Sequence, residues 1–111
     1  YSVERISRLA DRTRKLLDSL NYYNILIKVG DGTQGWSDEA PFDAIVVTAG
    51  APFVPPLLFG QLKDGGRLVV PVGDDYIQDL MRYTKRGGEI IAENLGGCRF
   101  VKLIGKDGFE D

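Results

Sequence analysis

Two acidic residues, Glu4 and Asp31, stand at the ends of predicted strands and are the first candidates for chemistry. In an open α/β sheet, ligands bind beyond the carboxyl ends of the strands. A carboxylate at such an end can accept two hydrogen bonds from ribose hydroxyls, a role that fits Glu4. Asp31, next to Gly32, can accept a hydrogen bond from an exocyclic amine where glycines let the backbone approach a ring. The two positions therefore indicate a nucleotide-like ligand.

Ordinary structural roles compete with this interpretation. Glu4 also suits an acid that interacts with the N-terminal end of a helix dipole. Asp31 lies in a Gly-Asp-Gly stretch, and Asp-Gly pairs are common in turns that bind nothing. Both alternatives stay open when the residues are considered alone.

A third candidate is the small-residue loop Thr48-Ala49-Gly50-Ala51-Pro52 after another apolar run. It offers backbone N–H and C=O groups with little bulk, which suits a small or backbone-like ligand. A plain strand-to-helix connection explains it equally well. Trp36 suits a lid or a stacking platform, but an aromatic that anchors its loop onto the core is favoured over both roles. Cys98 has no histidine partner and is expected to pack as a small apolar residue.

Composition narrows the possible functions. The chain has 111 residues, 43% of them hydrophobic and 27% charged, which predicts one globular domain over residues 1–111. It has no histidine and one cysteine, which excludes a disulfide scaffold, a Cys/His metal site and a histidine base. The net charge of −2 gives no general attraction to nucleic acid or to an anionic membrane. No apolar run approaches the roughly 18 residues of a membrane span, and no leader is evident, so we expect a cytoplasmic protein.

The elements that must position these residues alternate between strands and helices. Apolar residues from Ile6 to Leu20 recur at helical spacing, and the charged side chains between them should face water. Gly65-Gly66 is predicted to end a second, short helix that begins at Pro55 and Pro56 and runs to Leu62. This alternation favours an α/β sheet with parallel strands. The predicted strands are Tyr1–Glu4, Ile25–Val29, Ala44–Thr48 and Arg67–Val72, and the water-facing side chains are Arg8, Arg12, Arg14, Lys15 and Asp18.

The last third of the chain has a different pattern. Tyr76–Lys85 and Glu89–Leu95 alternate loosely around Gly87-Gly88, which predicts a β-hairpin. A final short strand is predicted at Arg99–Ile104. We therefore expect an antiparallel edge after the parallel strands.

Taken together, these segments resemble the protein-L-isoaspartate O-methyltransferase family over essentially the whole chain. The specific matches are Gly30–Trp36 and Phe42–Ala49, whereas Asp-Gly-Gly-Arg-Leu at 64–68 recurs in many class I methyltransferases. Gly50 stands where family members often have alanine, which should loosen that loop. The remaining matches are Val3–Arg5, Leu62–Gly73 and Arg99–Gly105.

The resemblance implies a Rossmann-like class I fold, S-adenosylmethionine as the methyl donor, and S-adenosylhomocysteine as a product. The acceptor would be the free carboxylate of L-isoaspartyl residues in damaged proteins or peptides. Carried over by position, Glu4 would bind the ribose hydroxyls, and Asp31 with Gly32 would contact the adenine. Thr48 and Ala49 would border the acceptor, and Val101 would help to hold the isoaspartyl backbone. No catalytic base is implied, because a carboxylate with a pKa near ~4 is already ionised at neutral pH.

Parts of the family pattern have no counterpart here. The glycine-rich loop after the first strand and the N-terminal acceptor segment are missing, and Tyr1 falls within strand 2 of the class order 3-2-1-4-5-7-6. Without strand 1, strands 2 and 4 would flank a slot about 9–10 Å wide, which is two strand spacings. We therefore expect the C-terminal part of one methyltransferase domain, inactive and poorly folded alone. An N-terminal half would complete it in cis or in trans.

Three other functions compete. A class I methyltransferase with a small-molecule or RNA acceptor fits the general fold, but the matches at Val47–Ala49 and Phe100-Val101 argue against it. A nicotinamide-dependent short-chain reductase is suggested by Thr48–Gly50, but none of the tyrosines has a lysine four residues later. A non-catalytic module that serves only in assembly or binding is the remaining alternative.

Overall fold

The computed structural model describes residues 1–111. It divides into two compact units, Tyr1–Gly32 and Thr33–Asp111, which are described separately. Neither helix is both long enough and apolar enough to cross a lipid bilayer. The expectation that both units belong to one methyltransferase domain stays a prediction.

The first unit is a strand–helix–strand element. Strand β1 spans Ser2–Glu4, helix α1 spans Ser7–Ser19, and strand β2 spans Ile27–Val29. The two strands pair in parallel with Glu4 opposite Val29, as the alternation of elements predicted. β2 begins two residues later than expected, and the Ile25 carbonyl accepts a hydrogen bond from Arg14 there.

Helix α1 forms as predicted, but most of its apolar stripe stays exposed. Only Ala10 is buried, whereas Leu16 and Leu20 are more than half exposed. A sheet of two three-residue strands offers too little surface to cover a helix of 13 residues. The prediction that Arg14 faces water was wrong, because its guanidinium bonds to the backbone after the helix. Besides Ile25, it donates to the Tyr22 carbonyl at 3.0 Å and thereby fastens the connection that follows the helix.

The second unit is built around a four-stranded sheet in the order β3-β4-β5-β6. β3 pairs with β4 in parallel, and the other two pairs are antiparallel, which confirms the predicted antiparallel edge. Single turns of 3-10 helix lie at Gly32–Gln34 and Ser37–Glu39. The elements are β3 (Phe42–Val46), helix α2 (Pro56–Gly60), β4 (Leu62–Gly73), β5 (Gln78–Arg86) and β6 (Glu89–Cys98).

The hairpin corrects the strand order that the class pattern implied. β5, rather than the last strand, pairs with β4, so these strands follow one another in chain order. The short connection from Gly73 to Gln78 folds β5 straight back onto β4. The turn between β5 and β6 has positive φ at both Gly87 and Gly88, which suits a tight hairpin turn.

Gly65 and Gly66 do not end helix α2, as had been predicted. The helix ends at Gly60, and both glycines lie inside β4, where its register against β3 shifts. Gly65 has a φ of 82°, which L-residues rarely adopt. A β-carbon on Gly66 would lie 2.8 Å from the Lys63 carbonyl oxygen. These glycines therefore permit a bulge rather than a helix end.

The predicted final strand at Arg99–Ile104 was wrong. Lys102 forms an isolated parallel bridge with Gly50, and Ile104 forms another with Phe109. The Gly50 segment cannot extend the ladder, because its next residue, Ala51, pairs with Val72 of β4 instead. The core under this region consists of Ala51, Leu58, Leu62, Leu68 and Val70.

Candidate functional site

The first cluster of candidate residues lies where β1 and β2 end. Glu4 is the last residue of β1, and its carbonyl oxygen accepts a hydrogen bond from the Gly30 N–H at 3.0 Å. This bond holds the two strand ends side by side. The Glu4 carboxylate is half-buried and accepts from the Ile6 N–H at 3.1 Å at the start of α1. The Glu4 side chain therefore acts as an acid at the start of a helix and also lies at the carboxyl edge of the sheet, so its two predicted roles are compatible.

Asp31 and Gly32 follow directly from this junction and are both half-buried. A β-carbon built on Gly32 would meet nothing within 4 Å, so the backbone there is open to approach. Two carboxylates and an open backbone form a set of hydrogen-bond acceptors at one sheet edge. Such a set is chemically suited to ribose hydroxyls and an adenine amine. The residues present therefore fit the nucleoside part of the cofactor that the resemblance implies.

The second cluster joins the Thr48–Pro52 loop to the segment around Val101. The Gly50 N–H donates to the Val101 carbonyl at 2.7 Å, and the Leu103 N–H donates to the Gly50 carbonyl at 2.8 Å. Thr48 is exposed, Ala49 is half-buried, and the Val101 side chain is 79% exposed. The fold therefore places Gly50, which directly follows Thr48 and Ala49, against Val101, more than fifty positions further along the chain.

Gln78 lies beneath this second cluster and was not predicted. Its side chain is 2% exposed, although it is polar. Its Oε1 accepts from the Phe100 N–H at 2.7 Å, and its Nε2 donates to the Asp74 carbonyl at 2.8 Å. Both ends of the amide are therefore satisfied, as a buried polar group requires.

Gly50 is packed against the same side chain, which corrects the expectation of a loosened loop. A β-carbon on Gly50 would lie 2.8 Å from Cδ of Gln78. Gly50 is buried, and both of its backbone polar groups are hydrogen-bonded. The absence of a side chain therefore makes room for Gln78 and tightens the contact.

A second buried glutamine, Gln61, fastens the loop that follows Gly32. Its Oε1 accepts from the Trp36 N–H at 2.9 Å, and its Nε2 donates to the Gln34 carbonyl at 3.0 Å. Gly35, with a φ of 64°, leaves the space that this amide occupies. The Gln61 amide therefore anchors this loop through its backbone. The role of the Trp36 side chain stays a prediction.

The same loop is tied to the end of the chain. Thr33 is fully buried, and its Oγ1 accepts from the Asp107 N–H at 3.2 Å. The Gln34 amide donates to the Asp107 carboxylate at 2.8 Å. Residues 33–36, part of the specific match Gly30–Trp36, are thus largely explained by hydrogen bonds within the second unit.

Asp74 shapes the turn that leads into Gln78. Its carboxylate accepts from the N–H groups of Ile77 and Tyr76, at 2.9 and 2.8 Å. These hydrogen bonds stabilise the ionised carboxylate and lower the pKa of Asp74 below its ordinary value of 3.8. The bond from Ile77 has the larger effect, and the bond from Tyr76 follows. An Asp at the start of a turn commonly accepts hydrogen bonds from the backbone that follows it. Asp74 itself is therefore the signal in the sequence that could have indicated this turn.

Comparison with known proteins shows which family the chain is related to. The family model of protein-L-isoaspartate(D-aspartate) O-methyltransferase matches residues 1–108. The chain belongs to the protein-L-isoaspartate O-methyltransferase family. It is 57% identical to a protein-L-isoaspartate O-methyltransferase of Syntrophus aciditrophicus, with 98% of this chain and 51% of the relative covered. A second relative, protein-L-isoaspartate O-methyltransferase 2 of Geotalea uraniireducens, is 59% identical with the same coverage.

Solved structures of protein-L-isoaspartate O-methyltransferases have the same fold. One superimposes with a TM-score of 0.86 at 29% identity and covers 96% of this chain and 34% of its own. A Plasmodium falciparum protein described as a putative member, in complex with S-adenosyl-L-homocysteine, gives a TM-score of 0.79 at 31% identity. That match covers 92% of this chain and 50% of the other. The chain thus spans about half the length of the curated relatives it matches and corresponds to their C-terminal half.

Proposed function

We propose that this chain is the C-terminal part of an enzyme that methylates L-isoaspartyl residues in damaged proteins and peptides. The reaction transfers a methyl group from S-adenosylmethionine to the free carboxylate and yields a methyl ester and S-adenosylhomocysteine. The observation that carries the proposal is the family match over residues 1–108. The pairing of Gly50 with Val101 supports it, because it assembles the predicted acceptor residues.

We assign the cofactor's nucleoside to the first cluster. Glu4 accepts hydrogen bonds from the ribose hydroxyls, and Asp31 with Gly32 contacts the adenine. When bound, the sulfonium of the cofactor supplies the methyl group, with S-adenosylhomocysteine as the leaving group. Glu4 is suited to its role because its carboxylate is already oriented by the Ile6 N–H.

We assign the acceptor to the second cluster. Thr48 and Ala49 border the isoaspartyl residue, and Val101 supports its backbone. The exposed Val101 side chain and the adjoining backbone offer a surface that a peptide can reach. The acceptor partners are therefore isoaspartyl-containing proteins or peptides, with no nucleic acid or membrane involved.

The protein contributes positioning rather than proton transfer. The acceptor carboxylate has an ordinary pKa near ~4, so it is the nucleophile at neutral pH without a base. Holding two bound reactants in line lowers the barrier by roughly 7–11 kcal/mol when the geometry is good. A chain without histidine is compatible with this reaction, and no side chain is assigned as an acid or base.

The activity requires the half of the relatives that this chain does not match. β1 pairs only with β2, and β3 pairs only with β4, so each has an unpaired edge that a central strand would satisfy. We propose that the two compact units are parts of one domain that the other half completes, in cis or in trans. We also place the enzyme in the cytoplasm, where a lone cysteine such as Cys98 stays reduced.

A hybrid protein tests this proposal. It joins the N-terminal half of the Syntrophus aciditrophicus relative to Tyr1 of this chain. We expect the hybrid to methylate an isoaspartyl peptide and to leave its aspartyl twin unmodified, and the 111-residue chain alone to melt without cooperativity and to transfer no methyl groups. Equal methylation of both peptides, or transfer to RNA or a small molecule only, would overturn the assigned acceptor. Cooperative melting and full turnover of the 111-residue chain would overturn the requirement for the other half.

A further inference from the structure

We propose that Gln78 is a positioning residue that sets the acceptor-binding geometry of the second cluster. This inference rests on the proposed function, because it concerns the same acceptor. Gln78 does not reach the surface, so it acts through the two segments that it joins.

The pairing of Gly50 with the Val101 segment has little support from the backbone itself. It consists of one isolated bridge, with no ladder on either side. Register is weakly specified in so short a contact, and a slip of one residue turns every side chain to the opposite face. Another contact must therefore fix which face Val101 presents.

Gln78 supplies that contact on both sides of the bridge. Its Oε1 holds the Phe100 N–H, one residue before Val101, at 2.7 Å. Its amide also fills the space beside Gly50 where a β-carbon would stand. The hydrogen bond from Nε2 to the Asp74 carbonyl keeps the amide from rotating. One buried side chain thus fixes the loop and the segment relative to each other.

The chain offers a matched control for this role. Gln61 is also buried and also bonds two backbone groups through its amide, but it fastens residues 34–36. Gln78→Met and Gln61→Met each keep the volume of the side chain and remove both hydrogen bonds. The two variants should lose similar free energy of unfolding. A difference between them in acceptor binding therefore reflects where the glutamine lies and not a general loss of stability.

The experiment compares both variants in the hybrid protein. For Gln78→Met we expect the KM for an isoaspartyl peptide to rise about tenfold, because the Val101 segment would no longer be held in one register. Its KM for S-adenosylmethionine should stay within about twofold, and Gln61→Met should leave the peptide KM within about twofold. An unchanged peptide KM in Gln78→Met, or parallel losses in both variants, would overturn the inference.

A second measurement separates this inference from the proposed function. Hydrogen exchange at the Phe100 and Leu103 amides reports the geometry of the cluster whether or not methyl transfer occurs. We expect faster exchange at both amides in Gln78→Met and unchanged exchange there in Gln61→Met. A hybrid that methylates no isoaspartyl peptide overturns the proposed function, whereas unchanged exchange in Gln78→Met overturns the role of Gln78.

Discussion

The Gly30 N–H donates a hydrogen bond to the Glu4 carbonyl at 3.0 Å, and this bond aligns the carboxyl ends of β1 and β2. It places the Glu4 carboxylate at the same sheet edge as Asp31 and Gly32. Glu4 is the only candidate residue of this cluster at the end of β1. In the proposed site, binding of the nucleoside therefore depends on the charge of the Glu4 carboxylate.

Replacing Glu4 with glutamine should therefore weaken cofactor binding. Hydrogen bonds to a charged group are worth about 1.5–3 kcal/mol, which corresponds to a roughly 10- to 150-fold increase in Kd. The measurement is isothermal titration of S-adenosylhomocysteine into the hybrid protein and its Glu4→Gln variant. Asp11→Asn, which removes an exposed carboxylate on α1, is the control and should leave the Kd unchanged. Equal Kd values for Glu4→Gln and the parent hybrid would remove Glu4 from the cofactor site.

Substituting alanine for Gly50 or Gly35 should lower stability for different reasons. The cost at Gly50 should depend on the neighbouring Gln78 side chain, whereas the cost at Gly35 should persist without the neighbouring Gln61 side chain. Gly50→Ala overpacks Gln78 and should cost about 1–3 kcal/mol of the free energy of unfolding. In a Gln78→Ala background that cost should nearly vanish, since Gly50 has no positive φ. Gly35→Ala should still cost about 1–2 kcal/mol in a Gln61→Ala background, because its φ of 64° disfavours any β-carbon.

Urea unfolding of the four single and two double variants in the hybrid protein provides this comparison. Additive effects at positions 50 and 78 would show that the two residues do not share the space between them.

Lys85 and Lys63 should differ in their contribution to stability, although both are lysines that contact oxygen atoms. The Lys85 ammonium donates to the carbonyls of Phe59 and Leu62, both at 3.1 Å, at the end of α2. The Lys63 ammonium contacts Asp43, whose side chain is 89% exposed. Lys85→Met should cost about 1.5–3 kcal/mol, and Lys63→Met less than about 1 kcal/mol. Denaturant midpoints measure both, and equal values would contradict the prediction.

Acid should weaken the turn that Asp74 forms. Because its pKa is lowered by the N–H groups of Ile77 and Tyr76, the ionised carboxylate favours the folded state. That stabilisation is complete above the ordinary pKa of 3.8 and is lost as the pH falls through the lower folded value. The stability difference between the hybrid and its Asp74→Asn variant should therefore be constant near neutral pH and shrink below about pH 4. An Asp75→Asn variant serves as the control, and a pH-independent difference for Asp74→Asn would contradict the assignment.

The sequence predicted most elements, because local patterns specify them. The apolar spacing of α1, the Pro55-Pro56 helix start and the Gly87-Gly88 turn are local signals, and each was confirmed. The role of Gly65-Gly66 was mistaken, since a glycine pair suits a bulge as well as a helix end.

The contacts of the candidate site were harder to predict. Thr48, Ala49 and Val101 were grouped through the family resemblance, but Gln78 carries no local signal of its burial. It becomes buried only because β5 folds back on β4 and the Phe100 segment crosses beside Gly50. Contacts between such distant segments depend on topology, which a single sequence specifies poorly.

The most direct test of the central claim follows the methyl group itself. The hybrid protein is incubated with S-adenosylmethionine labelled in its methyl group and with a peptide that contains one isoaspartyl residue, and tandem mass spectrometry locates the label. We predict one labelled methyl ester on the free carboxylate of the isoaspartyl residue and none on the aspartyl twin. Label on any other group, or on neither peptide, would contradict the assignment of this chain to isoaspartyl methylation.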